Sequence, residues 1–156
     1  MLSVKYMIKK FILCIIISIP TVIFAEIKEK DLSYYRETFL RKALSSNPGK
    51  ETEIRRCLDG YIKNVASGIK IIDKFALFLY DCNSKGLSIE KIKFYKDGNV
   101  NLFIITLKDR SDNGLYSLSL EYTYVAAKGS FELSDISFSM IFPDKIKGVL
   151  QFFGSG

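Results

Sequence analysis

The feature that most constrains this chain is the alternation of apolar and polar residues in its second half. The pattern is cleanest in YSLSLEYTYV, where Tyr116, Leu118, Leu120, Tyr122 and Tyr124 share one face. A period of two is typical of a strand that buries one face and leaves the other in water. Antiparallel strands of this kind need a second layer to cover the apolar face.

Four such strands are predicted from Leu87 onward, with the sequences IEKIKFY, VNLFIITL, LYSLSLEYTYV and FELSDISFSMIF. Asp97-Gly98 between the first two indicates a tight hairpin. In the last strand the apolar positions change phase near Ser134-Asp135, which predicts a β-bulge there. The strands therefore form a curved antiparallel meander.

The second layer is predicted to be helical. Apolar residues recur three and four apart after Asp31, as far as the breaker Asn47-Pro48-Gly49. Asn47 and Pro48 then suit the start of a second helix, which is expected to run through Val65 and end at Gly68. Residues 69–83 fit both a helix and a strand, and we favour the helix. The predicted fold class is α+β, with two or three N-terminal helices packed on a curved four-stranded antiparallel sheet.

The first 25 residues have the organisation of a signal peptide. Three lysines precede the apolar stretch FILCIIISIPTVIFA, which ends at Ala25 before Glu26. This order is typical of an export leader, and cleavage between Ala25 and Glu26 is the favoured outcome. An uncleaved membrane anchor is one alternative, and a lipid on Cys14 is another, although Leu13 is larger than the residue lipoproteins place before the modified cysteine.

The mature chain would be one domain, residues 26–156, in the periplasm or outside the cell. The leader takes three of the 23 basic residues and none of the 17 acidic ones, so the net charge falls from +6 to +3. This weakens any expectation of nucleic-acid binding, which favours clustered Lys and Arg. The chain would then contact the membrane only transiently, through the leader.

Two cysteines, Cys57 and Cys82, remain in the mature chain. In an oxidising compartment an even pair favours a disulfide, and we predict one between them. The alternative is two buried free thiols that pack as small hydrophobic side chains.

The chain resembles the nuclear transport factor two-like superfamily, also called the cystatin-like cone fold. The resemblance lies in helices followed by IEKIKFYKDGNVNLFIITLKD, YSLSLEYTYV and GSFELSDISF. Exported bacterial members often end in an aromatic-x-φ-x-D-φ strand, to which Phe131–Ile136 is similar. The resemblance implies a cone between helices and sheet, and it covers both enzymes and non-catalytic binding modules.

The composition restricts the available chemistry. The chain has no histidine, which removes the usual general base and every histidine-containing metal site. No cofactor, metal or catalytic residue is predicted. For an enzyme of the resembled superfamily, the acids nearest apolar sequence are Asp73, Asp81 and Asp135, and Tyr122 and Tyr124 could supply a hydroxyl.

Two functions follow as hypotheses. The favoured one is a non-enzymatic cell-envelope module that binds an apolar ligand or a protein, and the alternative is a small proton-transfer enzyme. A cone filled by Phe and Leu favours the first, and a buried carboxylate beside a tyrosine hydroxyl favours the second.

The second strand is apolar on both faces, and this predicts self-association. We assign Phe103, Ile105 and Leu107 to the open face of the sheet, where they would form a homodimer interface. The alternative is that the tail from Lys145 to Phe153 folds back and covers this patch.

Overall fold

The computed structural model describes residues 28–63, 68–138 and Phe153. The chain divides into two units, Met1–Asp31 and Leu32–Gly156, and the fold below is that of the second. The predicted cleavage site at Ala25 and Glu26, and the tail before Phe153, lie outside the described residues.

Three helices precede the strands, as predicted. Helix α1 spans Glu29–Ser45, α2 spans Glu51–Leu58 and α3 spans Ile71–Ser84. The segment that fitted both periods is therefore a helix. Eight of the fourteen residues of α3 are buried, which explains why its pattern was not clearly amphipathic.

Helix α2 is much shorter than predicted. Asn47 and Pro48 lie in the turn before it, and the helix ends at Leu58 instead of continuing through Val65. Beyond it, Tyr61 pairs with Lys70 and Ile62 pairs with Phe131, so the chain leaves the helix to join the sheet.

Gly60 allows this exit because it lies against Phe131. A Cβ built on Gly60 would lie 2.4 Å from Cδ2 of Phe131, closer than real carbon contacts allow. Glycine is therefore the residue that lets the backbone pass the ring here.

The sheet is a four-stranded antiparallel meander in the order β1-β2-β3-β4. Its strands are β1, Leu87–Asp97; β2, Val100–Asp109; β3, Leu115–Val125; and β4, Ser130–Phe138. Gly98 and Asn99 form the first hairpin turn, and the predicted bulge is present, because Ser134 is skipped where β4 pairs with β3. A second bulge, between Ile89 and Lys91, was not predicted.

The helices pack on one face of this sheet, which we call the inner face. One continuous core joins buried residues of α1, α2 and α3 to buried residues of all four strands. The α+β arrangement predicted from the sequence is thus confirmed.

The free edge of β1 is covered by side chains from the helical layer. Asn47 donates from Nδ2 to the Ile92 carbonyl at 2.8 Å and accepts at Oδ1 from the Phe94 N–H at 2.9 Å. The ammonium groups of Lys42 and Lys50 donate to the carbonyls of Ile89 and Phe94. These bonds replace those that a fifth strand would make.

The other edge is covered in part by main chain. At the start of β4, the Phe131 N–H donates to the Tyr61 carbonyl at 3.1 Å, and the Lys63 N–H donates to the Phe131 carbonyl at 3.1 Å. The described residues therefore occupy the edge of β1 from Ile89 to Phe94 and the edge of β4 at Phe131.

Candidate functional site

The space between helices and sheet is filled with aromatic side chains. Phe75 stacks on Phe39 with ring centroids 4.3 Å apart and meets Phe103 edge-on at 5.0 Å. Phe94 also contacts Phe103 at 5.0 Å, and Tyr122 lies 6.1 Å from Phe75. All five rings have zero exposed surface. Close packing of this kind leaves no room at this level for an apolar ligand.

The three acids considered for catalysis are not buried beside a tyrosine. Asp73 accepts from Nε of Arg36 at 2.6 Å, Asp81 pairs with Lys85 at 2.7 Å, and Asp135 is exposed. The Tyr122 hydroxyl is fully buried and has no hydrogen-bond partner among the described residues.

Burial raises the pKa of Tyr122, and the nearby Cys57 raises it further, so this hydroxyl stays protonated. Tyr124 is only partly buried, and its ring packs on Phe131 with centroids 5.1 Å apart. The arrangement expected of a proton-transfer site is therefore not assembled around Tyr122.

The structure does not contain the predicted Cys57–Cys82 bridge. Both residues are free thiols, buried on α2 and α3, and both belong to the hydrophobic core. Burial raises the pKa of Cys57 to about 12 and also raises that of Cys82. Because the thiolate is the reactive form, these groups act as packing side chains at neutral pH.

Two other classes of site find no support in the described residues. Residues 28–63 and 68–138 contain no group of three or more Cys, Asp or Glu placed to hold a metal ion. Within the same ranges, no helix is both long enough and apolar enough to cross a membrane.

The residues predicted for the homodimer interface face the helices and not the open side of the sheet, so this prediction is wrong. Phe103, Ile105 and Leu107 have zero exposed surface and lie in the core. Their partners on β3 are Leu120, Leu118 and Tyr116. Directly paired residues point to the same side of a sheet, so both sets face the helices.

The outer face of β2 carries the alternate residues instead. Leu102 and Ile104 are half-buried at the middle of the open face, and Tyr95 of β1, which pairs with Leu102, is 46% exposed. On the other side, Ser119 pairs with Ile104. The outer face is therefore an apolar centre, Tyr95, Leu102 and Ile104, bordered by hydroxyl side chains.

Charges of opposite sign flank this apolar centre. Lys91 and Lys93 are exposed on β1, at one lateral edge of the outer face. On the other side, Glu121 of β3 pairs with Leu102, and Asp135 of the edge strand β4 pairs with Glu121. Glu121 also accepts from the Ser134 hydroxyl at 2.7 Å, which fixes its carboxylate on this face.

The alternative, in which the tail covers the open face, is not supported at Phe153, the one residue of the tail that the structure describes. Phe153 is buried on the helix side, with its ring 5.5 Å from Phe75 and 5.2 Å from Phe78. These are core residues of α3, so Phe153 belongs to the inner layer.

Comparison with known proteins identifies no relative of this chain. No family, characterised protein or solved structure matches the chain.

Proposed function

We propose that this chain is an exported, non-enzymatic interaction module that binds protein through the outer face of its sheet. The observation that carries the proposal is an open face with an apolar centre and charged borders, on a fold whose interior is filled. Because the edge of β1 and the start of the β4 edge are already hydrogen-bonded, we expect a partner to pack on the face instead of extending the sheet.

The partner that this face fits is a second copy of the chain. In a twofold dimer with its axis along the strands, β1 of one copy lies over β4 of the other. Lys93 then lies level with the partner's Ser137 and reaches along that strand toward the partner's Asp135, two residues away, while Leu102 and Ile104 lie beside their own counterparts near the axis. An axis across the strands would instead place the lysines of β1 on each other, and like charges disfavour that arrangement.

Export and ancestry belong to the same proposal. The order of lysines, apolar stretch and Ala25 supports removal of the leader, which places the mature domain in the periplasm or outside the cell. Three helices followed by a four-stranded meander support descent from the nuclear transport factor two-like superfamily, among its non-catalytic members.

Ile104→Glu is expected to convert a dimeric mature domain into a monomer, because it places a charge at the centre of the apolar contact. Light scattering on residues 26–156 at tens of micromolar would measure this. The matched control is Tyr34→Glu, since Tyr34 is 62% exposed on α1, in the helical layer. This control should leave the dimer intact.

Charge reversal tests the orientation of the two copies. Lys93→Glu and Asp135→Lys should each weaken the dimer, and the double variant should restore it, because the two charges exchange sides. A wild-type monomer at tens of micromolar would refute the dimer. A dimer that survives Ile104→Glu would place the interface elsewhere.

The intact mass of protein recovered from the cell envelope tests both the leader and the thiols. After alkylation in denaturant without a reductant, we expect a chain that begins at Glu26 and carries two adducts, on Cys57 and Cys82. A mass that includes Met1 would contradict cleavage. A cleaved chain without adducts would show that the two cysteines are bridged in the cell.

A further inference from the structure

A second site, independent of the outer face, lies where the β1–β2 hairpin meets α2. It is a pocket of about 110 Å³ that opens to solvent beside the turn at Gly98 and Asn99. The side chains that matter for its chemistry are those of Glu53, Arg56, Lys96, Asn101, Tyr124 and Phe131.

Asn101 is the distinctive residue of this pocket. It lies on the inner side of β2, in phase with Phe103 and Ile105, and only 4% of its surface is exposed. Its side-chain amide lines the pocket and makes no hydrogen bond with another described residue. The buried side-chain groups without a partner in the described residues are the hydroxyls of Tyr122 and Ser130, so the polar atoms of the Asn101 amide are instead accessible from the pocket. The Asn101 amide therefore presents an unused donor and acceptor to a ligand.

The charge of the pocket selects the sign of that ligand. Arg56 and Lys96 line its mouth, and neither forms an ion pair with a described residue. Glu53 contributes one negative charge, and the Cys57 thiol in the wall is neutral because burial raises its pKa to about 12. All three charged side chains are exposed, and the excess of positive charge favours an anion.

The remaining wall is aromatic. The rings of Phe131 and Tyr124 pack together with centroids 5.1 Å apart, and both line the pocket. A ligand that fits this wall carries a small apolar group beside its charge.

We propose that this pocket binds a small organic monocarboxylate. The Asn101 amide donates to one carboxylate oxygen, Arg56 and Lys96 supply the balancing charge, and a short alkyl group lies against Phe131 and Tyr124. A short-chain carboxylate fits better than inorganic phosphate, because phosphate has no apolar part to lie against the aromatic wall.

Propionate titrated into ¹⁵N-labelled mature protein is the direct test. We expect saturable shifts of the Asn101 side-chain amide and of the Gly98 and Asn99 main-chain amides, with millimolar affinity or tighter. Inorganic phosphate and chloride at matched ionic strength are the comparison probes. Equal or larger shifts of the same amides with either ion would overturn the assignment to a carboxylate, as would the absence of shifts with propionate.

Three variants separate binding from folding. Asn101→Leu should abolish the propionate shifts of Gly98 and Asn99 without lowering Tm, because the amide makes no hydrogen bond with another described residue. Arg56→Gln should weaken propionate binding several-fold, and Glu53→Gln should strengthen it, because they change the pocket charge in opposite directions. Asn101→Leu that lowers Tm would show that the amide is structural, and binding unchanged by both charge variants would also refute the proposal.

Discussion

Phe103→Ala is expected to lower the free energy of unfolding by about 3–5 kcal/mol, the range observed when a large aromatic side chain is removed from a core. Phe103 contacts Phe75 and Phe94 at 5.0 Å between ring centroids and has no exposed surface. These neighbours belong to α3 and β1, so the cavity would open between two layers that cannot both close on it. Urea unfolding of the mature domain measures the loss.

The matched control is the next residue on the same strand. Ile104→Ala should cost about 1 kcal/mol or less, because Ile104 is half-buried on the outer face. The unfolding of both variants must be measured at the same low protein concentration, because dimerisation makes the stability depend on concentration. If Ile104→Ala cost as much as Phe103→Ala, the assignment of the two faces would be incorrect.

The order of the strands followed from the sequence, but the inward face of β2 did not. VNLFIITL is apolar at both alternating sets of positions, so the pattern within this strand does not tell which set of side chains faces the helices. The missing information is in β1, where Ile92 and Phe94 alternate with lysines and must face inward. A two-residue turn at Gly98-Asn99 pairs them with Ile105 and Phe103, and paired residues share a face. Turn length and the amphipathic neighbour together would have given the correct assignment.

The end of α2 was not visible in the sequence for a different reason. Ile62 and Val65 continue a helical spacing, so the local pattern favours a longer helix. The chain leaves the helix because Tyr61 and Ile62 form bridges to Lys70 and Phe131, and the latter is 69 residues away from Ile62. Tertiary pairing of this kind overrides local propensity.

The pocket around Asn101 also could not be predicted from the local sequence. In the sequence it is one polar residue in the apolar strand VNLFIITL, with nothing to mark it as buried or unpaired. Its proposed role in ligand binding depends on Arg56 and Lys96, which belong to α2 and to the neighbouring strand β1. Only the packing of α2 against the hairpin brings these groups to one pocket.

Asn47→Ala is expected to cost about 3 kcal/mol, because it removes three hydrogen bonds and leaves buried main-chain groups without partners. The Asn47 amide joins the end of α1 to the edge of β1, donating to the carbonyls of Ala43 and Ile92 and accepting from the Phe94 N–H. Asparagine is suited to this role since its side chain carries a donor and an acceptor in the same spacing as a peptide group.

The sequence suggested that Asn47 caps α2, and the position of its side chain explains why it does not. The side chain is only 9% exposed and is used across 45 and 47 residues of sequence, while α2 begins at Glu51 after Lys50. Asn47→Ala should therefore expose the β1 edge and favour aggregation through it, in addition to lowering stability.

Asn83→Ala is the matched control for this prediction. Asn83 also makes side-chain hydrogen bonds, to Arg110 and Tyr35, but it is exposed. Its removal should cost less than about 1 kcal/mol, as for most surface substitutions. Urea unfolding gives the two costs, and hydrogen exchange of the Phe94 amide reports the edge directly. We expect that amide to lose protection in Asn47→Ala and to keep it in Asn83→Ala, and equal protection in both variants would show that Asn47 does not hold the edge of β1.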